Sequence, residues 1–121
     1  MRDNPLVTLS RQFAVDIIRV SEEVREKKNN TVLSNQLLRC GTSIGANIHE
    51  ANYASSKADF INKLHIALKE CYETEYWLGL LHETAVIASE TFIGLSDDCG
   101  KIRRLLVASI STAKRNLSKG S

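Results

Sequence analysis

An all-α fold, an antiparallel up-down-up-down four-helix bundle, is what this sequence predicts, and two observations carry the prediction. Apolar residues recur at spacings of three and four along nearly the whole length, without strand-like alternation. Helix breakers are scarce: Pro5 is the single proline and there are 6 glycines among 121 residues. At that length the chain forms one domain, and 43% hydrophobic with 25% charged residues is the composition of a folded protein.

The first helix is expected over about residues 5 to 28: Asn4 caps, Pro5 takes the first helical position, and Leu6, Leu9, Phe13, Ile17, Val20 and Val24 form the stripe. Asn29-Asn30 breaks it. Ser34 is the candidate cap of a second helix, over about 34 to 55, with Leu37, Leu38, Gly41, Ile44, Ile48 and Ala51 on one face. Ser56-Lys57-Ala58-Asp59 has the form of a capping box opening a third helix, over about 57 to 86, through Phe60, Ile61, Leu64, Leu68, Cys71, Leu78 and His82. Ser89 is the expected cap of a fourth, over about 89 to 117, with Phe92, Leu95, Cys99, Ile102, Leu106, Ile110, Ala113 and Leu117 inward and a frayed tail.

The stretch RCGTSIGANIHEA, residues 39–51, is unusually small and polar for a helix interior. Leu37, Gly41, Ile44, Ile48 and Ala51 share one side, while Arg39, Ser43, Ala46 and Glu50 line the other. Close approach of neighbours offsets the ~1 kcal/mol that each glycine loses in helix propensity, which predicts tight packing on both faces. On the third helix, Ile66, Trp77 and Leu80 project opposite the Leu64/Leu68/Cys71/Leu78 seam, with Tyr76 beside them. One bundle cannot bury both stripes, so a homo-oligomer is expected, its interface built from Arg39, Ser43, Glu50, Ile66, Glu73, Tyr76, Trp77 and Leu80. Glu75 lies on the apolar stripe and needs a partner, either Asn47 in a buried polar network or a basic side chain from another helix.

Several chemistries are missing. No Glu precedes a His by three, which excludes a di-iron bundle site, and Cys40, Cys71 and Cys99 have no metal-ligand spacing and read as buried free thiols. There is no phosphate loop, nucleophile elbow or Cys-His constellation, so no catalytic residue, metal or cofactor is expected. No apolar run approaches the ~20 residues of a membrane span, and a cytoplasmic protein without membrane contact is expected. The net charge of +2 is small for a nucleic-acid binder, but outward cations from several copies of an oligomer add. Arg103, Arg104, Lys114 and Arg115 are the candidate phosphate contacts.

The segment resembles the R-x-x-x-S-I-x-x-N-I-x-E signature of the bacterial four-helix-bundle family named after intervening sequences in large-subunit ribosomal RNA genes, at Arg39, Ser43, Ile44, Asn47, Ile48 and Glu50. A second block matches at Asp59, Phe60, Leu64, Ala67, Glu73, Glu75 and Leu78, while Gly45 stands where relatives often have proline and Ala51 where they often have glycine. The resemblance implies an antiparallel bundle that associates into a ring, typically a pentamer, in a family whose members are sometimes labelled ribosomal proteins. It is also similar to the accessory bundle protein of diversity-generating retroelements, a basic ring that engages a reverse transcriptase and RNA. The expected function is therefore a non-enzymatic oligomeric scaffold that binds structured RNA or an RNA-associated protein. The alternatives are a protein-only scaffold, or an enzyme using Glu50, Glu73 or Glu75, which would require a deep pocket converging on those carboxylates.

Overall fold

The computed structural model describes residues 4–120. Its elements are α1 (Pro5–Lys27), α2 (Thr31–Ala51), α3 (Lys57–Glu83) and α4 (Ser89–Gly120), and among the described residues there is no strand. Each helix packs on the next and α4 closes back onto α1, its slimmest contact, while the diagonal pairs stay apart across the core. This is the expected antiparallel bundle, with its connections at 28–30, 52–56 and 84–88.

Local chemistry explains the boundaries. The Asn4 side chain accepts the Leu6 N–H at 2.7 Å, and Pro5 follows at the first helical position. The second helix begins three residues before the expected start: Asn30, read in the sequence as part of a breaker, caps it by accepting the Leu33 N–H at 3.2 Å. Asn29 supplies the reversal in the left-handed region at φ 51°, which asparagine tolerates. Ser34 instead turns inward, and its hydroxyl donates to the Ser21 carbonyl of α1 at 2.7 Å.

Ser56 caps α3 as predicted, accepting the Asp59 N–H at 3.0 Å, while the Asp59 carboxylate reaches back to the Ser55 N–H at 3.2 Å. The same helix ends at Glu83, short of the expected 86. There the Val86 N–H bonds the Leu81 carbonyl at 2.8 Å and the Ala85 N–H bonds the His82 carbonyl at 3.0 Å, a Schellman termination. Ala85 holds the left-handed position at φ 61°. The His82 ring stacks on Phe92 at 4.2 Å and shares a 3.1 Å hydrogen bond with Ser89, fastening α4 to α3 at this turn. The tail does not fray at 117; α4 runs to Gly120, with the Ser118 hydroxyl donating to the Lys114 carbonyl. Ser121 lies outside the described residues.

Fully buried Leu6, Phe13, Ile17, Leu37, Ile44, Ile48, Leu64, Leu78, Leu81, Ile102 and Leu106 fill the core, each such side chain contributing about 1.5–3 kcal/mol through burial. Small residues set the α1–α2 spacing: a Cβ on Gly41 would lie 2.8 Å from Ile17 Cγ2, and one on Gly45 would lie 3.2 Å from the Ser10 carbonyl oxygen. Both glycines are therefore crowded from one side, by α1. Ala46, on the other side of α2, is exposed in the single chain.

Cys40, Cys71 and Cys99 are buried free thiols. Burial pushes Cys40 up to about 11. Cys99, hydrogen-bonded to Cys71 and buried, is likewise raised.

Candidate functional site

The face shared by α2 and α3 is organised around Arg39. Its guanidinium pairs with Glu73 and Glu70 of α3, the latter at 3.5 Å, and donates to Gln36 at 3.3 Å within its own helix. The Trp77 indole N–H also donates to Glu73, at 3.1 Å, so one carboxylate fixes both the arginine and the aromatic ring. That indole hydrogen bond, together with Arg39, holds the Glu73 carboxyl below the usual carboxylate range. Burial raises Glu70, against the opposing charge of Arg39.

Around this cluster, Ser43 donates to the Arg39 carbonyl at 2.7 Å, and Glu50 pairs with Lys63 at 3.0 Å one end further along the face. Tyr76 meets Trp77 edge-on at 5.2 Å and is 60% exposed. Ile66 and Leu80 are half-buried. The structure thus gathers Arg39, Glu73, Tyr76 and Trp77 into one cluster, with Ser43 beside it and Glu50 further off.

Three sequence expectations change. Trp77 does not stand away from the core; its ring is half-buried against the core's edge and tethered to Glu73. Asn47 does not reach Glu75, because its amide donates to the Ser43 carbonyl of its own helix at 2.8 Å. The partner of Glu75 is the other expected possibility, a basic side chain from another helix: Arg103 of α4, whose Nε lies 3.1 and 3.2 Å from the two carboxylate oxygens, with the guanidinium 5.8 Å from the centre of the Tyr72 ring. Arg103 is thereby committed to α3, whereas Arg104, Lys114 and Arg115 are exposed.

Sequence reading missed Glu70 and Tyr72. Glu70 precedes Glu73 by three residues, a spacing that puts both carboxylates on the side facing Arg39. Tyr72 lies one turn before Tyr76 and is 55% exposed.

Glu73 faces α2 and Glu75 faces α4, while Glu50 is occupied by Lys63, so these carboxylates do not converge on a cavity. A groove of about 360 Å³ between α1 and α2, lined by Ser10, Ala14, Gly45 and Ala46, has Glu50 on its lining but neither Glu73 nor Glu75. Among the described residues, no group of His, Cys, Asp and Glu could hold a metal ion, and no helix is long and apolar enough to cross a membrane.

Fold and face together define a four-helix bundle whose second and third helices carry an ion-paired, aromatic surface. The chain belongs to the family described as 23S rRNA-intervening sequence protein, whose sequence model matches residues 2–108. A crystal structure of a protein of unknown function from the S23 ribosomal protein family of Bacteroides thetaiotaomicron VPI-5482 is 48% identical, covering 87% of this chain and 97% of that one, with a TM-score of 0.86. No curated protein matches the chain. The resemblance read from the signature residues therefore holds, as does the bundle it implied. Neither description names an enzymatic activity.

Proposed function

We propose that the chain is a non-enzymatic cytoplasmic scaffold that joins copies of itself through the α2–α3 face and, as an oligomer, associates with structured RNA. The supporting observation is the Arg39–Glu73–Trp77 cluster with Tyr76 exposed beside it. Arginine, tryptophan and tyrosine are the residues that dominate protein interfaces, and here they are held before any partner arrives, which lowers the entropy lost on docking. Ile66 and Leu80 extend the face with apolar area. A closed ring satisfies such a surface in every copy, and the family resemblance implies five copies.

Sedimentation velocity at micromolar concentration tests the assembly. The unaltered chain is expected to sediment as one closed oligomer, and a Tyr76→Ala/Trp77→Ala variant as a folded monomer; a monomeric unaltered chain overturns the reading. The protein-only scaffold is favoured by the near balance of 16 basic and 14 acidic residues. Retention of a structured RNA at low salt separates the two, since a protein-only scaffold retains none.

A further inference from the structure

Basic residues are not spread evenly along this chain. From Cys99 onward the sequence holds six of them, Lys101, Arg103, Arg104, Lys114, Arg115 and Lys119, and no Asp or Glu; the preceding 98 residues hold ten basic and fourteen acidic ones. The near-neutral total hides an acidic body attached to a basic C-terminal stretch of α4.

The first part of that stretch packs into the bundle through Ile102, Leu106 and Ile110, and its last turns reach past the end of α1. With 32 residues against 23 for α1, α4 is longer by about 13 Å at 1.5 Å per residue. The end of α1 and the start of α4 line one cleft, through Val20, Val24 and Thr91, so the excess length emerges at the opposite end. There Ala113 and Asn116 of α4 line a groove with the end of α2 at Ala51, the α2–α3 connection around Ala54, and the start of α3 at Lys57 and Phe60.

At 100° per residue, Lys101, Arg104, Ala108, Ser111, Arg115 and Lys119 fall within about 80° of one another, opposite the inward Ile102, Leu106 and Ile110. All six are exposed, and among the described residues no carboxylate pairs with the four cations. They form two pairs roughly 16 Å apart, with small side chains between them that let an anionic backbone lie close to the helix. A nucleic-acid strand offers one phosphate per roughly 3.4 Å, so one strand can serve both pairs.

We infer that this stripe of Lys101, Arg104, Arg115 and Lys119 is the phosphate-binding surface of the protein and that its ligand is the backbone of a structured RNA. The inference rests on the RNA-binding reading above and specifies its site. Arg103 is excluded from that site, because Glu75 neutralises it and its Nε is spent on α3. Arg115 is already turned back along the stripe by its hydrogen bond to Thr112 at 3.4 Å. Two of the four cations lie beyond residue 108, where the match to the family model ends.

The test is salt-dependent binding of a fluorescein-labelled RNA hairpin to the full-length chain. Neutralising all four cations to glutamine is expected to weaken binding by about tenfold or more and to flatten the slope of log affinity against log salt by about 3 to 4. Arg103→Gln is expected to leave the slope unchanged. If the unaltered chain binds RNA and the fourfold variant keeps its slope, the stripe is not the site although the RNA reading stands. If the unaltered chain retains no RNA at low salt, both fall. Competition by poly-glutamate at equal charge concentration as effective as by RNA assigns the stripe to an acidic protein and overturns the ligand. Unchanged helical content and sedimentation of the fourfold variant establish that any loss belongs to the surface.

Discussion

Two serines and a glycine on the α1–α2 seam show how much a single small group decides. The Ser34 hydroxyl makes a buried 2.7 Å bond to the Ser21 carbonyl, whereas the Ser21 hydroxyl is buried without a partner. Ser34→Ala is therefore expected to cost about 1 kcal/mol, and Ser21→Ala to be neutral or stabilising, since it removes an unsatisfied group; urea unfolding of the two variants reads the difference. Gly41 is stricter. An alanine methyl there would collide with Ile17, which is fully buried and cannot yield, so Gly41→Ala is expected to destabilise by about 1–3 kcal/mol despite its better helix propensity. A stability equal to or above the parent's would show that the two helices can move apart. The glycine was legible in sequence as a close approach, but which neighbour crowds it was not, because periodicity gives the face of a helix and not what lies against that face.

At the level of elements, the helix faces were readable and the helix ends less so. Asn30 and Ser34 are both good caps, and sequence alone does not say which is used. The chain uses Asn30 because the left-handed Asn29 completes the reversal in three residues, leaving Ser34 free to bond α1. The candidate site divided along similar lines. Arg39, Glu73 and Trp77 were readable as one outward surface, while the Glu75–Arg103 pair depended on the relative register of α3 and α4. The α3 terminus carries its own prediction. Ala85 occupies a left-handed position that strains any Cβ, and Ala85→Gly is expected to raise stability by about 1 kcal/mol in thermal unfolding. A loss would mean that the methyl group contributes packing that outweighs the backbone strain.

For the molecule as a whole, the Arg39 cluster ties stability to pH. Glu73 is depressed, chiefly by the Trp77 indole, so its contribution is present above the ordinary carboxylate value and lost as pH falls through its lowered one. Burial raises Glu70, which acts in the opposite sense and favours the folded state on acidification through its raised value. Thermal midpoints measured from about pH 7 to pH 3 should therefore fall less steeply at the acid end in Glu73→Gln than in the parent; identical profiles would remove Glu73 from the cause. The three buried thiols report on the same global stability: at neutral pH they should resist alkylation in the native state and react at the rate of unfolding. Rapid labelling without denaturant would mean that the core opens locally.

The unequal length of α4 reaches beyond one protomer. Cyclic symmetry sets any given feature at the same height in every copy, so a closed ring of these chains would gather all its cationic helix ends at one level along the axis. Such a particle is polar in the geometric sense, with two dissimilar openings, and it would meet a long polyanion in one orientation rather than two.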